Sequence, residues 1–250
     1  MSDKLEVYYF SPTGGTKKVS SIFAYTMGKE VIRHDLESKE TMPEQPEGEM
    51  IVVAAPVFGD RIPSVVREKI EKLSRIGKKA VTIAVYGNRA YEDALLEMND
   101  ILIKCGFTLI ASGAFVAQHS MEPEVGAGRP DWEDVKEIRE FAEGVWNKKN
   151  SNCAQVPGNH PYKPEMKVPR TPISRSACTR CGACVRVCPT DAISMTAKGI
   201  STGKEKCILC MACTHVCPEH AKVLPPPVQG MMKLMPGKLK NVRNKNEMFL

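Results

Sequence analysis

Eight cysteines in the last third of the chain carry the strongest chemical pattern of the sequence. In each block, two residues lie between the first and the second cysteine and two between the second and the third. Three residues lie between the third and the fourth cysteine, and a proline follows the fourth. The block occurs twice, 29 positions apart, as Cys178, Cys181, Cys184, Cys188 and as Cys207, Cys210, Cys213, Cys217. Three thiolates at this spacing can surround one iron–sulfur cluster on a tight loop, while the fourth is displaced onto a following turn. The repeat therefore predicts iron–sulfur clusters.

Three other uses of cysteine fit this pattern less well. Structural zinc sites also use cysteines in fours, but two successive two-residue gaps followed by a three-residue gap and proline are unusual for them. Disulfides need an oxidising compartment, and nothing in the sequence indicates export. A radical-type site would need an unequal spacing, with a three-residue gap before a two-residue gap, which is absent.

Residues 176–223 resemble a bacterial ferredoxin with two [4Fe–4S] clusters, and the resemblance covers all eight ligand positions. In that family the fourth cysteine of each block binds the cluster of the other block. The resemblance implies two ligand sets, which are Cys178, Cys181, Cys184 and Cys217 for one cluster and Cys207, Cys210, Cys213 and Cys188 for the second.

A second chemical signal lies in residues 10–20, with the sequence FSPTGGTKKVS. The stretch lacks the Walker spacing GxxxxGK[ST], and its glycines do not fit the dinucleotide pattern GxGxxG. Hydroxyl groups and backbone N–H groups at the start of a helix are nevertheless well suited to a terminal phosphate. A glycine-rich turn without a ligand is the alternative. The predicted phosphate-binding residues are Ser11, Thr13, Gly14, Gly15, Thr16 and Lys17.

This stretch resembles the flavodoxin phosphate loop [ST]-x-T-G-x-T and matches it at every fixed position. The resemblance implies FMN, whose flat ring needs stacking partners and backbone groups at its polar edge. Two later loops look like flavin-flanking loops: Pro56, Val57, Phe58, Gly59 and Tyr86, Gly87, Asn88, Arg89, Tyr91. Phe58 and Tyr91 are the expected ring neighbours. Tyr86 is equally suited to the core at a strand end, and Arg89 to a solvated loop.

Alternating strand and helix patterns supply the scaffold for these loops. Apolar strand patterns occupy residues 5–10, 30–35, 50–56, 80–86 and 107–117, and helical patterns occupy 16–27, 64–73, 91–104 and 132–147. This alternation predicts an α/β fold with a flavodoxin-like, doubly wound, five-stranded parallel sheet. Residues 36–49 are too rich in Pro and Glu for a normal crossover helix. Ligand loops of such sheets share the carboxyl edge of the strands.

The chain divides into four predicted segments. Residues 1–150 form the flavodoxin-like FMN-binding domain, and 151–174 a proline-rich linker draped on the surface. Residues 175–224 form a small α+β domain like bacterial ferredoxin, and 225–250 a basic, Met-rich tail for which a packed or solvated extension is favoured over a partner-binding role. His119 is expected to be a surface or capping residue rather than to cover a flavin, and Cys105 to be a small buried residue. Cys153 lies in the linker.

Charge and hydropathy exclude several other classes of protein. Residues 151–250 contain 15 Lys and Arg against 5 Asp and Glu, whereas residues 1–150 contain 20 against 24. Cluster-bound thiolates would offset part of the basic charge, so nucleic-acid binding is not expected. No apolar run approaches the roughly 20 residues of a membrane span, and the N-terminus lacks a secretory signal pattern. We expect a cytoplasmic protein.

Taken together, the chain resembles the flavodoxin–ferredoxin fusion proteins of anaerobes. The resemblance implies an electron-transfer protein that passes electrons between two [4Fe–4S] clusters, FMN and protein redox partners, within one chain or across a homodimer. An FMN-dependent reductase of a small substrate such as a quinone is the alternative. Flavodoxins are strongly acidic, whereas residues 1–150 have a net charge of only −4.

Overall fold

A central sheet of six strands organises the first domain. The structure is a computed structural model that describes residues 4–74, 76–150, 152, 154–165, 170–234 and 236–250. Five strands are parallel, and a sixth from the C-terminus is antiparallel to its neighbour. The strands are β1 (Lys4–Tyr9), β2 (Glu30–Asp35), β3 (Met50–Pro56), β4 (Lys79–Tyr86), β5 (Thr108–Val116) and, at the C-terminus, β10 (Glu247–Phe249).

The strand order is β10-β5-β4-β3-β1-β2. Without β10, this is the 2-1-3-4-5 order of flavodoxin-like folds, in which the chain reverses direction across the sheet between β1 and β3. Residues 51–55 of β3 are fully buried, because helices cover both faces of a doubly wound sheet. The prediction of a five-stranded parallel sheet is confirmed, and β10 is an addition that the sequence pattern did not predict.

Four helices form the two layers around the sheet, namely α1 (Gly15–Thr26), α2 (Ser64–Ile70), α3 (Ala94–Lys104) and α4 (Trp132–Asn147). On one face, Phe23 of α1 and Phe141 of α4 pack 5.4 Å apart between ring centroids. On the other, Ile70 of α2 and Leu95 of α3 lie in the second core cluster. As expected from its composition, the 36–49 connection is not helical.

A buried carboxylate holds that non-helical connection in place. Glu6 on β1 accepts the backbone N–H of Gly48 at 2.6 Å and the hydroxyl proton of Tyr8 at 3.0 Å. His34 on β2 lies 2.8 Å from the same carboxylate. Burial alone would raise the pKa of Glu6, but these hydrogen bonds outweigh it and the pKa is lowered.

The cysteine-rich domain is a small α+β unit with pseudo-repeated architecture. Its elements are β6 (Ile173–Ser174), α5 (Ala183–Arg186), β7 (Ile193–Thr196), β8 (Gly199–Thr202), α6 (Ala212–His215) and β9 (Lys222–Val223). Strand β6 pairs antiparallel with β9, and β7 with β8. Because β6 closes against β9, Ile173–Ser174 belong to this domain rather than to the linker.

The linker lies along the first two turns of α3 and its N-cap residue, Asp93. Asp93 accepts the backbone N–H of Asn159 at 2.9 Å and that of Lys163 at 2.6 Å. Asp100 lies 2.7 Å from the His160 ring and also accepts the hydroxyl proton of Tyr162. Residues 156–165 of the linker therefore lie on the first domain, as expected of a linker draped on the surface.

The C-terminal tail returns to the first domain and extends its sheet. Helix α7 (Pro226–Leu234) is followed by a 3₁₀ turn (Pro236–Leu239) and by β10, which pairs antiparallel with β5. Asn246 Oδ1 accepts the Val116 N–H at 2.8 Å, and its amide donates to Asp134 at 2.8 Å. Arg243 donates to Asp131 at 2.6 Å. The favoured interpretation of a packed extension holds for the described residues of the tail.

We expect Asn246→Ala to lower the free energy of unfolding by about 1–2 kcal/mol, because the Val116 N–H and the Asp134 carboxylate each lose a partner. Chemical denaturation of the holoprotein measures this effect. Asn150→Ala, at an exposed position, is the matched control and should change the free energy by less than about 0.5 kcal/mol. Equal effects of the two substitutions would show that the tail does not stabilise the fold.

Candidate cofactor sites

The eight repeated cysteines line two separate cavities of the small domain. One cavity is lined by Cys178, Cys181, Cys184 and Cys217, and the other by Cys188, Cys207, Cys210 and Cys213. Each cavity takes three cysteines from one block and the fourth from the other block. These are the two ligand sets that the ferredoxin resemblance implies. We call them the Cys178 set and the Cys207 set.

The backbone of both cysteine loops has the same left-handed positions. Residues with positive φ occur as Arg180, Gly182 and Asp191 in the first block and as Leu209, Met211 and His220 in the second. The second set is displaced by 29 positions from the first, as are the cysteines. Five of these six residues are not glycine, so their conformation carries a cost of roughly 1 kcal/mol each. Alternating right- and left-handed residues turn successive N–H groups inward and form anion-binding concavities like those of Fe–S sites.

A buried ammonium group lies at the first cavity. Lys222 is 3% exposed and lines the Cys178-set cavity. Its Nζ donates to the Thr202 hydroxyl at 2.7 Å and lies 3.4 Å from the Ser174 hydroxyl. Within the described ranges no carboxylate forms an ion pair with it. A buried charge of this kind needs a nearby counter-charge, and an anionic cluster bound by four thiolates would supply one.

The two cysteine sets share one buried core, although they differ in exposure. Cys184 of the first set packs with Cys188 and Cys213 of the second. Burial raises the pKa of the Cys213 thiol to about 12, and metal binding must therefore displace its proton. Among the described cysteines, only Cys181 is exposed. Cys153 lies outside the described residues.

The predicted phosphate loop forms a tight turn between β1 and α1. The Gly14 N–H donates to the Ser11 carbonyl at 3.0 Å, and the Ser11 hydroxyl accepts the Lys17 N–H at 2.8 Å. Gly14 is left-handed, with φ of 89°, and a β-carbon there would meet nothing within 4 Å. Helix α1 begins at Gly15, so the N–H groups of Gly15 and Thr16 belong to its first turn and lack intrahelical acceptors. The open loop fits a phosphate group.

The two predicted flavin-flanking loops lie at the same edge of the sheet. The Val57 N–H donates to the Val85 carbonyl at 2.9 Å, which holds the end of β3 against the end of β4. Phe58 reaches toward the phosphate-loop side, with its ring centroid 6.4 Å from that of Phe10 in an edge-on arrangement. Arg89 forms an ion pair with Asp60, and Gly59 is left-handed. The structure thus brings together the three loops that the sequence singled out.

Three residues of the second flanking loop are engaged by the tail. Tyr86 is buried and its hydroxyl donates to the Lys245 carbonyl at 2.6 Å. Tyr91 is also buried and donates to Glu247 at 2.8 Å. Asn88 is fully buried, and its amide donates to the Val242 carbonyl at 2.6 Å. For Tyr86 the core interpretation therefore applies, and contacts of Asn88 and Tyr91 with a flavin stay predictions.

His119 caps a loop, as expected. Its Nδ1 accepts the N–H groups of Met121 at 3.2 Å and Glu122 at 3.1 Å. Burial lowers the pKa of His119. A β-carbon at Gly87 would lie 2.5 Å from this ring, so packing against His119 favours glycine here, and a contact of Gly87 with a flavin stays a prediction.

A cleft of about 410 Å³ separates the first flanking loop from the Cys207 set. Phe58 and Arg61 line one side, and Cys207 and Ile208 line the other. Ile208 packs against the core cluster of the first domain. The predicted flavin loop and one ligand of a predicted cluster therefore border the same space.

The half-buried carboxylate of Glu37 adjoins the phosphate loop. Glu37 accepts the Ser11 N–H at 2.9 Å. Burial raises the pKa of Glu37 to about 7; the carboxylate of Asp35 adds to this, whereas the Ser11 hydrogen bond and Lys17 oppose it. The loop thus has an acidic neighbour that titrates near neutral pH.

Comparison with known proteins assigns the small domain. The sequence model of the 4Fe-4S dicluster domain family matches residues 171–223. No curated protein sequence matches the chain. Among the residues that the structure describes, no helix is long and apolar enough to cross a bilayer.

Solved flavodoxin structures resemble the first domain at low sequence identity. Flavodoxin 1 from Bacillus cereus is 18% identical, with 57% of this chain and 96% of that chain covered and a TM-score of 0.46. Streptococcus pneumonia TIGR4 flavodoxin is also 18% identical, with 57% and 97% covered and a TM-score of 0.44. Fusobacterium nucleatum flavodoxin bound to flavin mononucleotide is 10% identical, with 57% and 96% covered and a TM-score of 0.44.

The strand order and the dicluster match together define the class of protein. The chain joins a flavodoxin-like α/β domain to a ferredoxin-like 4Fe–4S domain, an arrangement like that of flavodoxin–ferredoxin fusion proteins. A 4Fe–4S domain in this setting marks the chain as an electron-transfer redox protein.

Sequence reasoning missed three residues at these sites. Lys222 occupies the repeat position that corresponds to Ile193 in the first block. The change from an apolar to a charged residue was a visible signal of a special role. Arg129 is buried in an ion pair with Asp134 and also donates to Asn88 at 3.3 Å. Neither Arg129 nor Glu37 has a sequence signal, because the contact of Arg129 with Asn88 spans 41 positions and that of Glu37 with Ser11 spans 26.

We expect Glu37→Gln to stabilise the protein increasingly as the pH rises. Folding raises the pKa of Glu37, so the folded protein is stabilised while this side chain is neutral. That contribution to the free energy of unfolding is present at pH 4.5 and is lost as the pH rises through about 7. Glutamine stays neutral and can still accept the Ser11 N–H. The difference in unfolding free energy should be near zero at pH 5 and about 1 kcal/mol at pH 8, after allowance for partial exposure. A difference that does not change with pH would contradict this assignment.

We expect Lys222→Met to lower the midpoint reduction potential of the iron–sulfur centres. Loss of a buried positive charge destabilises the reduced, more negative state. Anaerobic redox titration followed by EPR measures the potential. Lys198→Met, at an exposed position, is the matched control. An unchanged potential in Lys222→Met would show that the ammonium does not act on the clusters.

Proposed function

We propose that the protein is an electron-transfer flavo-iron–sulfur protein with two [4Fe–4S] clusters and one FMN. Bound FMN supplies chemistry with one or two electrons, and each cubane supplies one-electron transfer. The Cys178 set and the Cys207 set would hold the clusters. The loop from Ser11 to Lys17 would hold the phosphate of FMN, and Phe58 would lie beside the flavin ring.

The shared cleft carries this proposal. Phe58 of the flavin-flanking loop and Cys207 of the second cysteine set line the same 410 Å³ space. This arrangement supports electron transfer between the Cys207 set and the flavin site within one chain, without the need for a homodimer. The common core of Cys184, Cys188 and Cys213 supports transfer between the two cysteine sets.

Residues of this chain hold the cleft in a defined geometry. Arg61 forms an ion pair with the buried Glu97 and stacks over the Tyr162 ring of the linker at 4.6 Å. Arg67 also bonds Glu97, at 3.2 Å, and reaches Glu165 of the linker at 2.5 Å. The linker therefore braces the loop that bears Phe58.

The same cleft favours a second candidate function, reduction of a small substrate. Its rim carries Arg61, Lys204, Glu165 and Glu205, so a polar molecule could bind beside the flavin loop. Rapid, saturable reoxidation of the reduced protein by quinones would favour a reductase. Slow reoxidation without saturation would favour the electron carrier.

The cofactor content tests the proposal directly. Protein purified anaerobically should contain about eight irons and eight sulfides, as the eight ligands imply, and about one FMN. EPR of the reduced protein should show [4Fe–4S] signals. Zinc in place of iron, or no retained flavin after reconstitution, would contradict it.

The phosphate loop has its own test. Thr13→Val removes one hydroxyl from the loop and should weaken FMN binding by about tenfold, while riboflavin, which lacks the phosphate, should bind both proteins equally. Fluorescence titration of the flavin-free protein measures both affinities. Thr196→Val, on a strand of the other domain, is the matched control.

A further inference from the structure

We infer that the surface around Cys181 is the docking site for an acidic electron-carrier protein, so that electrons enter at the Cys178 set. This inference rests on the proposed function and adds to it the entry point and the chemistry of the partner. The docking surface consists of Cys181, Arg175, Arg180, Arg186 and Met195.

The repeat makes the two cysteine sets directly comparable, and they differ in exposure. Cys181 is exposed, whereas its repeat counterpart Cys210 is 9% exposed. On the Cys207 set, Leu209 and Met211 are covered by α7, with Val228 in the same apolar cluster. The Cys178 set therefore faces outward, and the Cys207 set faces the first domain and the tail.

Exposed arginines lie at the Cys178 set. Arg180 lines the Cys178-set cavity, and its repeat counterpart is the buried Leu209. The Arg186 guanidinium donates to the Cys181 carbonyl at 3.2 Å, which places its charge at the exposed cysteine. Arg175 is also exposed. Among the residues that the structure describes, no carboxylate forms an ion pair with any of these three arginines.

An apolar residue lies within this basic surface. The side chain of Met195 is 55% exposed, and its Cε lies 3.6 Å from the position of a β-carbon at Gly182, next to Cys181. Glu219 is the carboxylate that borders the same cavity. A small apolar centre within a charged rim is typical of weak electron-transfer interfaces, in which charge steers the encounter. An acidic protein complements the three unpaired arginines.

The transfer itself is a balanced one-electron step. The reduced donor would lose one electron, a cluster held by the Cys178 set would gain it, and no bond would form or break. From there the common core of Cys184, Cys188 and Cys213 leads to the Cys207 set, which borders the cleft with Phe58. The arrangement thus separates the entry surface from the flavin side.

An acidic plant-type [2Fe–2S] ferredoxin is a suitable probe for the docking surface. Its oxidised form is titrated into the holoprotein by calorimetry at low and high salt, and its reduced form is mixed anaerobically in a stopped-flow instrument. The test variant is Arg180→Glu/Arg186→Glu. The matched control is Arg139→Glu/Lys149→Glu, which makes the same charge change at exposed positions in and just after α4 of the first domain.

We expect the test variant to bind the oxidised ferredoxin at least about tenfold more weakly at low salt and to lose most of the salt dependence of binding. Its reduction by the ferredoxin should slow by a similar factor, whereas reduction by dithionite should not change. The control variant and Arg180→Lys/Arg186→Lys should both behave like the unmodified protein.

Other outcomes separate the failure of this inference from failure of the proposed function. If the test variant has full iron and flavin but binds ferredoxin normally, the docking surface is wrong and the proposed function stands. If the unmodified protein lacks iron or flavin, the proposed function fails first. If the glutamate variant loses iron, Arg180→Gln/Arg186→Gln provides the same comparison. Binding of anionic vesicles or DNA, without binding of ferredoxin, would overturn the choice of partner.

Discussion

The structure depends on the attachment of the small domain to the first domain at both of its ends. At the N-terminal end, the linker is fixed by Asp93, which accepts N–H groups from Asn159 and Lys163. At the C-terminal end, β10 completes the edge of β5, and its backbone hydrogen bonds satisfy groups that an exposed edge strand would leave unpaired. Two attachments restrict the orientation of the small domain far more than one linker would, and this restriction keeps the Cys207 set beside the Phe58 loop.

The same attachments give different environments to two halves of an internal repeat. Both cysteine loops share spacing and left-handed backbone positions, so their local geometry is equivalent. The tail covers Leu209 and Met211 of the second loop, while the first loop keeps Cys181 at the surface. Lys222 replaces the apolar residue that Ile193 provides in the other half, and it places a buried charge at the Cys178 set. The two halves of the repeat therefore have equivalent ligands, but the Cys178 set faces the surface and the Cys207 set faces the first domain and the tail.

The elements with strong local patterns could be predicted well from the sequence. The apolar run of β3, the helix of residues 132–147 and the absence of a helix in residues 36–49 follow from periodicity and composition, which act over a few residues. The phosphate loop and the cysteine blocks were equally visible, because their chemistry needs fixed spacing. Strand β10 could not be predicted, because a segment of three residues is too short to show the alternation of a strand. Its pairing with β5 also joins positions more than 130 residues apart.

By itself, the sequence singled out the candidate cofactor-binding residues, because thiolate spacing and a hydroxyl-rich loop at a helix start are local requirements of the ligands. It also determined the class of the sheet through the alternation of strands and helices. Only the tertiary structure decided that Tyr86, Asn88 and Tyr91 are held by the tail, that Glu37 lies against Ser11, and that Cys207 shares a cleft with Phe58. These contacts join distant parts of the chain, and they form only when burial and hydrogen bonding bring the two domains and the tail together.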